Sequence, residues 1–459
     1  MTSDTKKKHT CTNTVSFFAS AIKILSVSRL KKIHIRNFKS YAAATLPLAP
    51  LTLLVGANAS GKSNALEALQ MLSWLAKGRR LDDVFRAVQE SEVILRGRVN
   101  DLTKNDEEYF HLGCIISAIE WKYLGIGIEV ASDALKMRHE RISTGFYHDT
   151  ELYDVKNPKD NHSGSIKVTY NNFKPGGNKP TITCTDQQAV FSQLISPARF
   201  GANHARSQKE IPAACNAFIK ALDSIIFLDP QPQRMREPSF PQDKVFRGDG
   251  SNLSSVLHRI CASKTGKEAV LHFIRDLPEQ NISDIDFLNY PRGEVLVRLE
   301  ENFGNVKNWR DAGVLSDGTL RVLSVAAALL SAPEGSTVVI EEIDNGVHPS
   351  RAGTLLSAID KIARERKLSI LITSHNPALL DAIPKRALPD VVFCYRDPDE
   401  GDSRLVRLAD LPNYPELVSR GPLGRLVTQG ILDRMAKHPV SEEDKVAAGL
   451  SYMEKLKNS

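Results

Sequence analysis

The sequence predicts an α/β fold in which buried parallel strands alternate with amphipathic helices. Leu51 to Val55 is a compact apolar run of the kind found in central parallel strands, and a helical pattern follows it directly. Two further apolar runs, Val338 to Ile340 and Leu371 to Thr373, each end in charged or polar residues. This alternation is typical of a parallel sheet covered by helices.

The composition is that of an ordinary globular protein. The chain has 459 residues, of which 42% are hydrophobic and 25% charged, which argues against both wholesale disorder and a membrane-embedded fold. The formal net charge of +6 is a modest excess that favours polyanionic partners only weakly. The six cysteines are scattered without a CxxC pair, so we expect reduced thiols in a cytoplasmic protein.

The N-terminus has a basic and an apolar stretch in the order found in signal peptides. Three lysines at 6–8 precede the run Val15 to Val27. Lys23 interrupts this run, which is too short to span a bilayer, and no small-residue cleavage site follows it. We therefore expect residues 1–28 to be an extension that is disordered or non-essential, with no membrane association.

Strand and helix patterns divide the rest of the chain into four segments. The pattern is strongly periodic before residue 107 and again after residue 220, and it is shorter and more polar between them. We therefore predict an α+β insertion of unclear role within a two-lobed core. The predicted segments are a first lobe at 29–106, the insertion at 107–220, a second lobe at 221–400 and a short helical C-terminal segment at 401–459.

Local patterns predict individual elements within these segments. The predicted strands lie at 30–38, with a basic outer face, and at 51–55, 114–116, 166–169, 225–228, 295–299, 338–340 and 371–373. The predicted helices lie after residue 63 and at 253–260, 320–330, 423–435 and 442–456.

A phosphate-binding loop follows the first buried strand. The run from Gly56 to Ser63 fits GxxxxGK[ST] and lies between a strand and a helix, as that motif requires. Backbone N–H groups of such a loop face phosphates, its lysine reaches the β- and γ-phosphates, and its serine binds Mg²⁺. The motif alone does not separate kinases, GTPases and ATPases. The predicted nucleotide-binding residues here are Gly56, Asn58, Ser60, Gly61, Lys62, Ser63 and Asn64.

Two glutamates follow the apolar run Val338 to Ile340. At the carboxyl end of a parallel strand, the first carboxylate can support Mg²⁺ and the second can act as the base for the attacking water. These roles fall to Glu341 and Glu342 respectively. The alternative is an acidic strand end that faces solvent. The first position of this motif is usually Asp, which makes the metal role of Glu341 the less specific of the two.

Two further motifs complete the candidate site. Ser316 and Gly318 begin a predicted helix and can offer a hydroxyl and N–H groups to a γ-phosphate, although a simple helix N-cap explains them equally well. His375 follows the strand that ends near Thr373, where it can hydrogen-bond the γ-phosphate or the attacking water. A purely structural histidine is the alternative.

These four elements, in this order, resemble the ABC-type ATPase heads of the RecF and SMC group. The run from Glu342 to Pro349 (EIDNGVHP) is similar to that of the OLD-like AAA branch, which includes anti-phage defence ATPases. The runs Ile33 to Tyr41 and Asp249 to Leu253 also fit that branch. The resemblance implies an ABC-type P-loop ATPase that uses ATP and Mg²⁺.

The same resemblance implies how the site is completed. In such heads the signature turn acts in trans, so Ser316 and Gly318 would complete the ATP site of the opposite protomer. The protein is therefore expected to form a homodimer or a higher homo-oligomer. A glutamine that contacts the nucleotide is also expected after the phosphate-binding loop, and Gln89 is the candidate.

Departures from the family patterns shape the expected role. No heptad run separates Gly56 from Ser316, unlike SMC proteins with their long coiled coils. The segment after Arg396 is too short for the TOPRIM nuclease of OLD proteins. We therefore expect a sensor or scaffold that controls a separate nuclease or toxin in anti-phage defence. The alternative is a RecF-like repair ATPase that binds DNA, and a transporter subunit is disfavoured.

Overall fold

The computed structural model describes most of the chain between residues 28 and 438. The predicted extension up to residue 27, Gln89 and the predicted helix at 442–456 lie outside the described residues. The segment 344–350, which holds the whole NGVHP run, lies outside them too. No helix among the described residues is long and apolar enough to cross a membrane. The described residues are 28–84, 95–105, 107–117, 119–131, 134–146, 150–156, 164–274, 281–303, 306–343, 351–411 and 414–438.

The described chain contains both runs of consecutive strands and strands separated by helices. The strands are β1 (Leu30–Phe38), β2 (Tyr41–Pro47), β3 (Leu51–Val55), β4 (Tyr109–Ile116), β5 (Tyr123–Ala131), β6 (Ala134–Ser143), β7 (Glu151–Lys156), β8 (Ser165–Tyr170), β9 (Thr181–Thr185), β10 (Ile226–Leu228), β11 (Asn281–Asn289), β12 (Val295–Phe303), β13 (Val306–Asp311), β14 (Thr337–Ile340), β15 (Ser369–Ser374), β16 (Val392–Arg396) and β17 (Ser403–Arg407). The helices are α1 (Lys62–Ala76), α2 (Val190–Gln193), α3 (Ala205–Asp223), α4 (Pro232–Met235), α5 (Leu253–Cys261), α6 (Lys264–Ile274), α7 (Asp317–Ser331), α8 (Ala352–Glu365), α9 (Pro377–Asp381), α10 (Tyr414–Ser419), α11 (Leu423–Thr428) and α12 (Ile431–Lys437).

An eight-stranded sheet occupies the N-terminal half, with strand order β2-β1-β4-β5-β6-β7-β8-β9. Ile33 and Ile35 of β1 are buried in the core that this sheet forms with α1 and α3, whereas Lys32 and Arg36 are exposed on the other face. The predicted basic outer face of β1 is therefore confirmed. Because β4 pairs with β1, the segment 107–220 continues the sheet that β1 and β2 begin.

A second sheet, with order β10-β14-β15-β3-β16-β17, forms the centre of the other half. Its first five strands run parallel, and β17 is antiparallel to β16. Every residue of β3, β14 and β15 is buried, as expected for central parallel strands covered on both faces. The α/β class and the three buried strands predicted from apolar runs are confirmed.

The C-terminal helical prediction needs one correction. The run 423–435 forms two short helices, α11 and α12, rather than one. Gly430 separates them with a φ of 66°, a left-handed conformation that glycine adopts readily and that ends a helix. The apolar periodicity across the break is real, since Leu426 and Leu432 are both buried.

Candidate nucleotide-binding site

Three adjacent parallel strands bring three of the predicted motifs to one edge of the sheet. β15 lies between β14 and β3, and the three are paired in register up to their carboxyl ends. The loop starting at Gly56 follows β3, Glu341 and Glu342 follow β14, and His375 follows β15. Ligands bind at this edge of open α/β sheets, so the topology assembles a candidate site from residues far apart in sequence.

The phosphate-binding loop lies so close to β16 and β17 that two of its positions accept only glycine. A Cβ atom on Gly56 would lie 2.1 Å from the carbonyl oxygen of Cys394. A Cβ atom on Gly61, whose φ is 118°, would lie 2.2 Å from Ser403 Oγ. The loop therefore wraps tightly before α1 begins at Lys62, with the helix N-terminus at the site.

The Lys62 ammonium group lies over the loop. Its Nζ donates hydrogen bonds to the carbonyl oxygens of Gly56 at 2.7 Å and Ala57 at 2.9 Å. Burial lowers the pKa of Lys62, and the negative charge of Glu342 opposes that shift. Both residues belong to loops that leave the same edge of the sheet, Lys62 after β3 and Glu342 after β14.

The remaining loop residues differ in exposure. Asn58 and Ser63 are exposed, which leaves both side chains accessible to a ligand. Ser60 is buried, and its hydroxyl has no hydrogen-bond partner among the described residues. Asn64 donates from Nδ2 to Ser40 Oγ at 2.7 Å, which gives it a supporting role at the base of α1.

Three side chains from other strands support the loop, and the sequence analysis missed them. The Tyr41 hydroxyl donates to the carbonyl oxygen of Gly61 at 3.0 Å. Ser403 Oγ donates to the carbonyl oxygen of Ser60 at 2.6 Å, and Cys394 Sγ donates to the same oxygen at 3.3 Å. Such supporting contacts hold the residues of a functional site in place.

Glu342 has an unusual backbone conformation. Its φ is 46°, in the left-handed region that residues other than glycine seldom adopt. Its N–H group donates to Thr373 Oγ1 of β15 at 3.0 Å, and its side chain is exposed. Strained backbone of this kind concentrates at functional sites, where the surrounding structure enforces it.

Glu341 lies in a group of charged side chains. Burial raises the pKa of its carboxyl, the charge of Arg96 opposes that shift, and the charges of Asp229, Glu342 and Glu67 reinforce it. Oxygen donors suit Mg²⁺, which proteins commonly hold through one or two carboxylates together with phosphates. The Ser63 hydroxyl and the Glu341 carboxylate are both oxygen ligands of the kind that Mg²⁺ prefers.

Glu67 of α1 places Arg96 beside this group. Glu67 Oε2 accepts a hydrogen bond from the Arg96 N–H at 3.1 Å and also pairs with the Lys39 ammonium group. Lys39 Nζ donates in turn to the carbonyl oxygen of Arg96 at 2.6 Å. No motif in the sequence pointed to Arg96 or Glu67, because their contact depends on tertiary packing.

His375 is exposed at the end of β15. The turn that carries it is held by two local hydrogen bonds: Asn376 N donates to Ser374 Oγ at 3.0 Å, and Ala378 N donates to Asn376 Oδ1 at 3.0 Å. The turn therefore presents the imidazole at the same edge as Lys62, while its predicted catalytic role stays a prediction.

The turn that contains Ser316 and Gly318 is a helix N-terminus. Ser316 Oγ accepts a hydrogen bond from the Thr319 N–H at 3.1 Å, so the N-cap alternative describes its local role. Arg236 holds the turn through Asp317 Oδ1 at 2.7 Å. Within the described chain, no hydrogen bond joins this turn to the phosphate-binding loop, and its predicted role across a dimer stays a prediction.

Two protein-family models match consecutive parts of the chain. Residues 29–189 match a family described as "AAA ATPase domain". Residues 187–381 match a family described as "AAA domain, putative AbiEii toxin, Type IV TA system". The first match contains the phosphate-binding loop, and the second contains Glu341, Glu342 and His375. Both descriptions name an AAA domain, and the α/β fold carries the loop at the carboxyl edge of its parallel sheet.

Curated relatives match only short stretches of this chain. The DNA replication and repair protein RecF of Gloeobacter violaceus is 46% identical over 70 residues, which is 15% of this chain and 17% of that protein. RecF of Brucella abortus (strain 2308) is 38% identical over 90 residues, 18% of this chain and 22% of that protein. The matches therefore span less than a quarter of the relatives.

Solved SMC head structures are similar over a larger share of the chain. An SMC head bound to the C-terminal winged-helix domain of ScpA has 14% identity and a TM-score of 0.45, covering 82% of this chain and 97% of that one. A Pyrococcus furiosus Smc head with an extended coiled coil, bound to the C-terminal domain of ScpA, has 14% identity and a TM-score of 0.45, covering 85% and 100%.

The close approach of Gly56 to β16 gives a first testable prediction. We expect Gly56→Ala to destabilise the fold by about 1–3 kcal/mol, because the new methyl group must displace the Cys394 carbonyl. We also expect it to weaken ATP binding at least about tenfold, since a shifted loop no longer aims its N–H groups at the phosphates. Thermal unfolding and titration with a fluorescent ATP analogue measure both effects.

Ala57→Ser is the matched control for this prediction. It also adds one heavy atom, but at the next position, which is exposed. We expect the control to retain wild-type melting temperature and affinity. A Gly56→Ala protein indistinguishable from wild type would show that the loop has room to relax.

Proposed function

We propose that this protein binds and hydrolyses ATP in the presence of Mg²⁺. One observation carries the proposal: the phosphate-binding loop, the Glu341–Glu342 pair and His375 meet at one sheet edge, where the charge of Glu342 acts on Lys62. A glycine-rich turn alone serves many nucleotide-binding proteins. A carboxylate at the same sheet edge as the lysine would add the base that hydrolysis requires.

The loop residues would bind the triphosphate. Backbone N–H groups between Gly56 and Lys62 and the N-terminus of α1 face the phosphates, and the Lys62 ammonium exchanges its two loop carbonyls for phosphate oxygens. Ser63 and Glu341 would hold Mg²⁺, which when bound neutralises charge on the β- and γ-phosphates. The half-buried Glu341 carboxyl would be stabilised in its charged form by a bound cation, because burial alone disfavours that form.

Glu342 would act as the general base. Its carboxylate accepts a proton from a water molecule as the water oxygen attacks the γ-phosphorus, and the bond to the bridging oxygen of ADP breaks. The hydrogen bond from its N–H to Thr373 fixes the position of this residue between β14 and β15. His375, exposed at the neighbouring strand end, would hydrogen-bond the attacking water or the γ-phosphate.

A second protomer would complete each site through Ser316 and Gly318. The Ser316 and Asp317 side chains are exposed, and Val314 just before them is 64% exposed. The exposed helix N-terminus is therefore accessible to a second protomer. On this proposal the active form is a homodimer or a higher homo-oligomer.

We place this ATPase in control of a separate effector, a nuclease or a toxin, in bacterial anti-phage defence. The support is the family match over 187–381, whose description names a toxin of a type IV toxin–antitoxin system. ATP binding would then set the state of a scaffold or sensor in the cytoplasm. A test is growth of cells that express the protein with and without the product of the adjacent gene, during phage infection. Protection that needs both proteins and Lys62 supports this role.

A RecF-like role in DNA repair or maintenance is the second candidate. It is favoured by the short matches at 38–46% identity to proteins named for DNA replication and repair. This role predicts that double-stranded DNA stimulates ATP hydrolysis and that the stimulation falls steeply with salt. Unchanged hydrolysis with DNA, together with phage protection that needs the neighbouring gene, would favour the effector role.

Phosphate release from the purified protein tests directly whether it hydrolyses ATP. We expect release that requires Mg²⁺ and stops on addition of EDTA, because divalent cations neutralise the transferring phosphoryl group. Lys62→Ala protein prepared in the same way controls for contaminating ATPases. Equal release by wild type and Lys62→Ala would contradict the proposal.

A further inference from the structure

The edge strand β13 is exposed on both faces. It is the last strand of the sheet β11-β12-β13, and among the described strands it pairs with β12 alone. Its residues from Val306 to Arg310 are all exposed, and Asp311 is half-buried. An open strand edge offers backbone N–H and C=O groups to a further strand, and proteins usually blunt or cover such an edge. β13 is therefore available for pairing with a strand of a partner.

The hydrophobic core below this sheet ends at β12. Leu299 of β12 is buried in the core that contains α5 and α6, and Glu301 on the same face is buried too. Arg310 lies opposite Leu299 and forms an ion pair with Glu301, with Nε and Oε2 2.8 Å apart. Asn308 lies opposite Glu301, and both β13 residues are exposed, as is Val306. The helices that cover β12 therefore leave this face of β13 open.

The other face of β13 carries an exposed tryptophan. Trp309 lies opposite Glu300 and is 41% exposed. The Arg298 guanidinium covers one face of the ring, 4.9 Å from the ring centroid. Tryptophan is usually largely buried, so the open part of this ring is suited to a contact with another molecule.

Charges alternate across the three strands on this same face. Asp286, Arg298 and Asp311 lie opposite one another on β11, β12 and β13. Arg298 Nη2 lies 2.6 Å from Asp286 Oδ2, and Asp311 Oδ1 accepts a hydrogen bond from the Gly313 N–H at 2.9 Å. The row thus ends on a fixed negative charge at the open edge. A positive side chain on an added strand would continue the alternation.

A second copy of β13 can supply that positive side chain. Opposite residues of antiparallel strands lie on one face, so a two-fold axis near the middle of β13 passes through Asn308 or Trp309. An axis at Trp309 places Lys307 of each copy opposite Asp311 of the other. An axis at Asn308 instead places Lys307 opposite Trp309 and forms no opposite-charge pair. Lys307 lies 3.3 Å from Glu300 of its own chain, but its side chain is 65% exposed and therefore accessible to a second copy.

We propose that β13 pairs with β13 of a second copy of this chain, antiparallel and with Trp309 opposite itself. The two three-stranded sheets would then form one continuous sheet. Backbone hydrogen bonds provide the affinity, and the tryptophan pair with two Lys307–Asp311 pairs sets the register. One short strand buries less than the roughly 1,200 Å² of stable interfaces, so association is weak and depends on protein concentration. The contact needs no nucleotide and is distinct from the interface proposed at the Ser316 turn.

Sedimentation velocity of the full chain without nucleotide tests this pairing between about 1 µM and about 200 µM protein. We expect the wild type to change from monomer to dimer over this range. Lys307→Asp and Asp311→Lys each place two pairs of like charges across the axis, so each should weaken association at least about fivefold. Lys307→Asp/Asp311→Lys restores opposite charges and should recover most of the association.

The matched control is Lys361→Asp, a charge reversal at an exposed position of α8, which should associate as the wild type does. A wild type that stays monomeric at the highest concentration, or equal association by all the variants, would overturn the proposal. Lys62→Ala should associate normally, which separates this inference from the proposed ATPase function. Experiments on the ATP-dependent dimer use about 1 µM protein, where the β13 contact is dissociated.

Cysteine cross-linking tests the register. Trp309→Cys places a thiol opposite itself, with Cα atoms about 4.5–5.5 Å apart, which is within the range of a disulfide. Asn308→Cys is the matched control, because the two copies of residue 308 lie diagonally at about 7–8 Å. Under mild oxidation we expect a covalent dimer on non-reducing gels for Trp309→Cys and the wild-type pattern for Asn308→Cys. Equal or preferential cross-linking of Asn308→Cys would contradict the proposed pairing.

Discussion

Glu342→Gln is expected to slow ATP hydrolysis by about 10²–10⁴-fold while ATP binding stays near the wild-type level. Glutamine has the size and shape of glutamate but cannot accept the proton of the attacking water. The hydrogen bond from residue 342 to Thr373 comes from the backbone N–H, so the substitution keeps it. The substitution is therefore expected to slow the hydrolysis step without disturbing the local structure.

Two measurements separate chemistry from binding in this variant. Single-turnover phosphate release reports the hydrolysis rate, and titration with a fluorescent ATP analogue reports affinity. Glu365→Gln, an exposed glutamate at the end of α8, is the matched control and should behave as wild type. Normal turnover by Glu342→Gln would remove the assignment of this residue as the base.

The same variant tests the composite site. If Ser316 and Gly318 of one protomer complete the site of another, ATP that is bound but not hydrolysed should hold the dimer together. We expect light scattering at saturating ATP to show a dimer for Glu342→Gln and a smaller dimeric fraction for wild type. A Glu342→Gln protein that stays monomeric at saturating ATP would count against any role for the Ser316 turn in trans.

The sequence was sufficient to predict the elements that carry the candidate site. β3, β14 and β15 are buried on both faces. Strands of this kind appear in a sequence as continuous apolar runs, which makes them recognisable without a structure. The glycine loop between β3 and α1 is recognisable because its spacing reflects a local backbone requirement. Residues near these runs could therefore be assigned to one sheet edge before any contact was known.

The residues that support the loop could not be predicted in this way. Ser403 reaches the carbonyl oxygen of Ser60 across 343 positions, and Cys394 reaches it across 334. No local pattern links such residues, since they meet only when β16 pairs with β3. Arg96 was missed for the same reason, because packing against Glu67 brings it near Glu341.

The extent of the antiparallel sheet was also hidden from local patterns. The short polar strands between 107 and 220 predict an insertion, and local patterns did not show that these strands would pair with the sheet begun by β1. Tertiary structure determines which strands pair, and strand propensity does not indicate the pairing partners.

Lys62→Ala is expected to weaken ATP binding at least about 100-fold, because each charge-assisted hydrogen bond to a phosphate contributes about 1.5–3 kcal/mol. Differential scanning fluorimetry measures this as the loss of the ATP-induced rise in melting temperature. Lys77→Ala, an exposed lysine just after the same helix, is the matched control and should keep that rise. A full ATP-induced rise in Lys62→Ala would contradict nucleotide binding by this loop.

Without ATP, the same substitution should leave the melting temperature close to that of wild type. Among the described residues, Lys62 donates hydrogen bonds to the carbonyl oxygens of Gly56 and Ala57. Burial lowers its pKa, which means that the folded protein disfavours its charge. Removing the ammonium relieves that desolvation while it loses two hydrogen bonds, so the effects on unfolding free energy oppose each other. A lysine kept for stability would instead destabilise the protein on removal, with or without nucleotide.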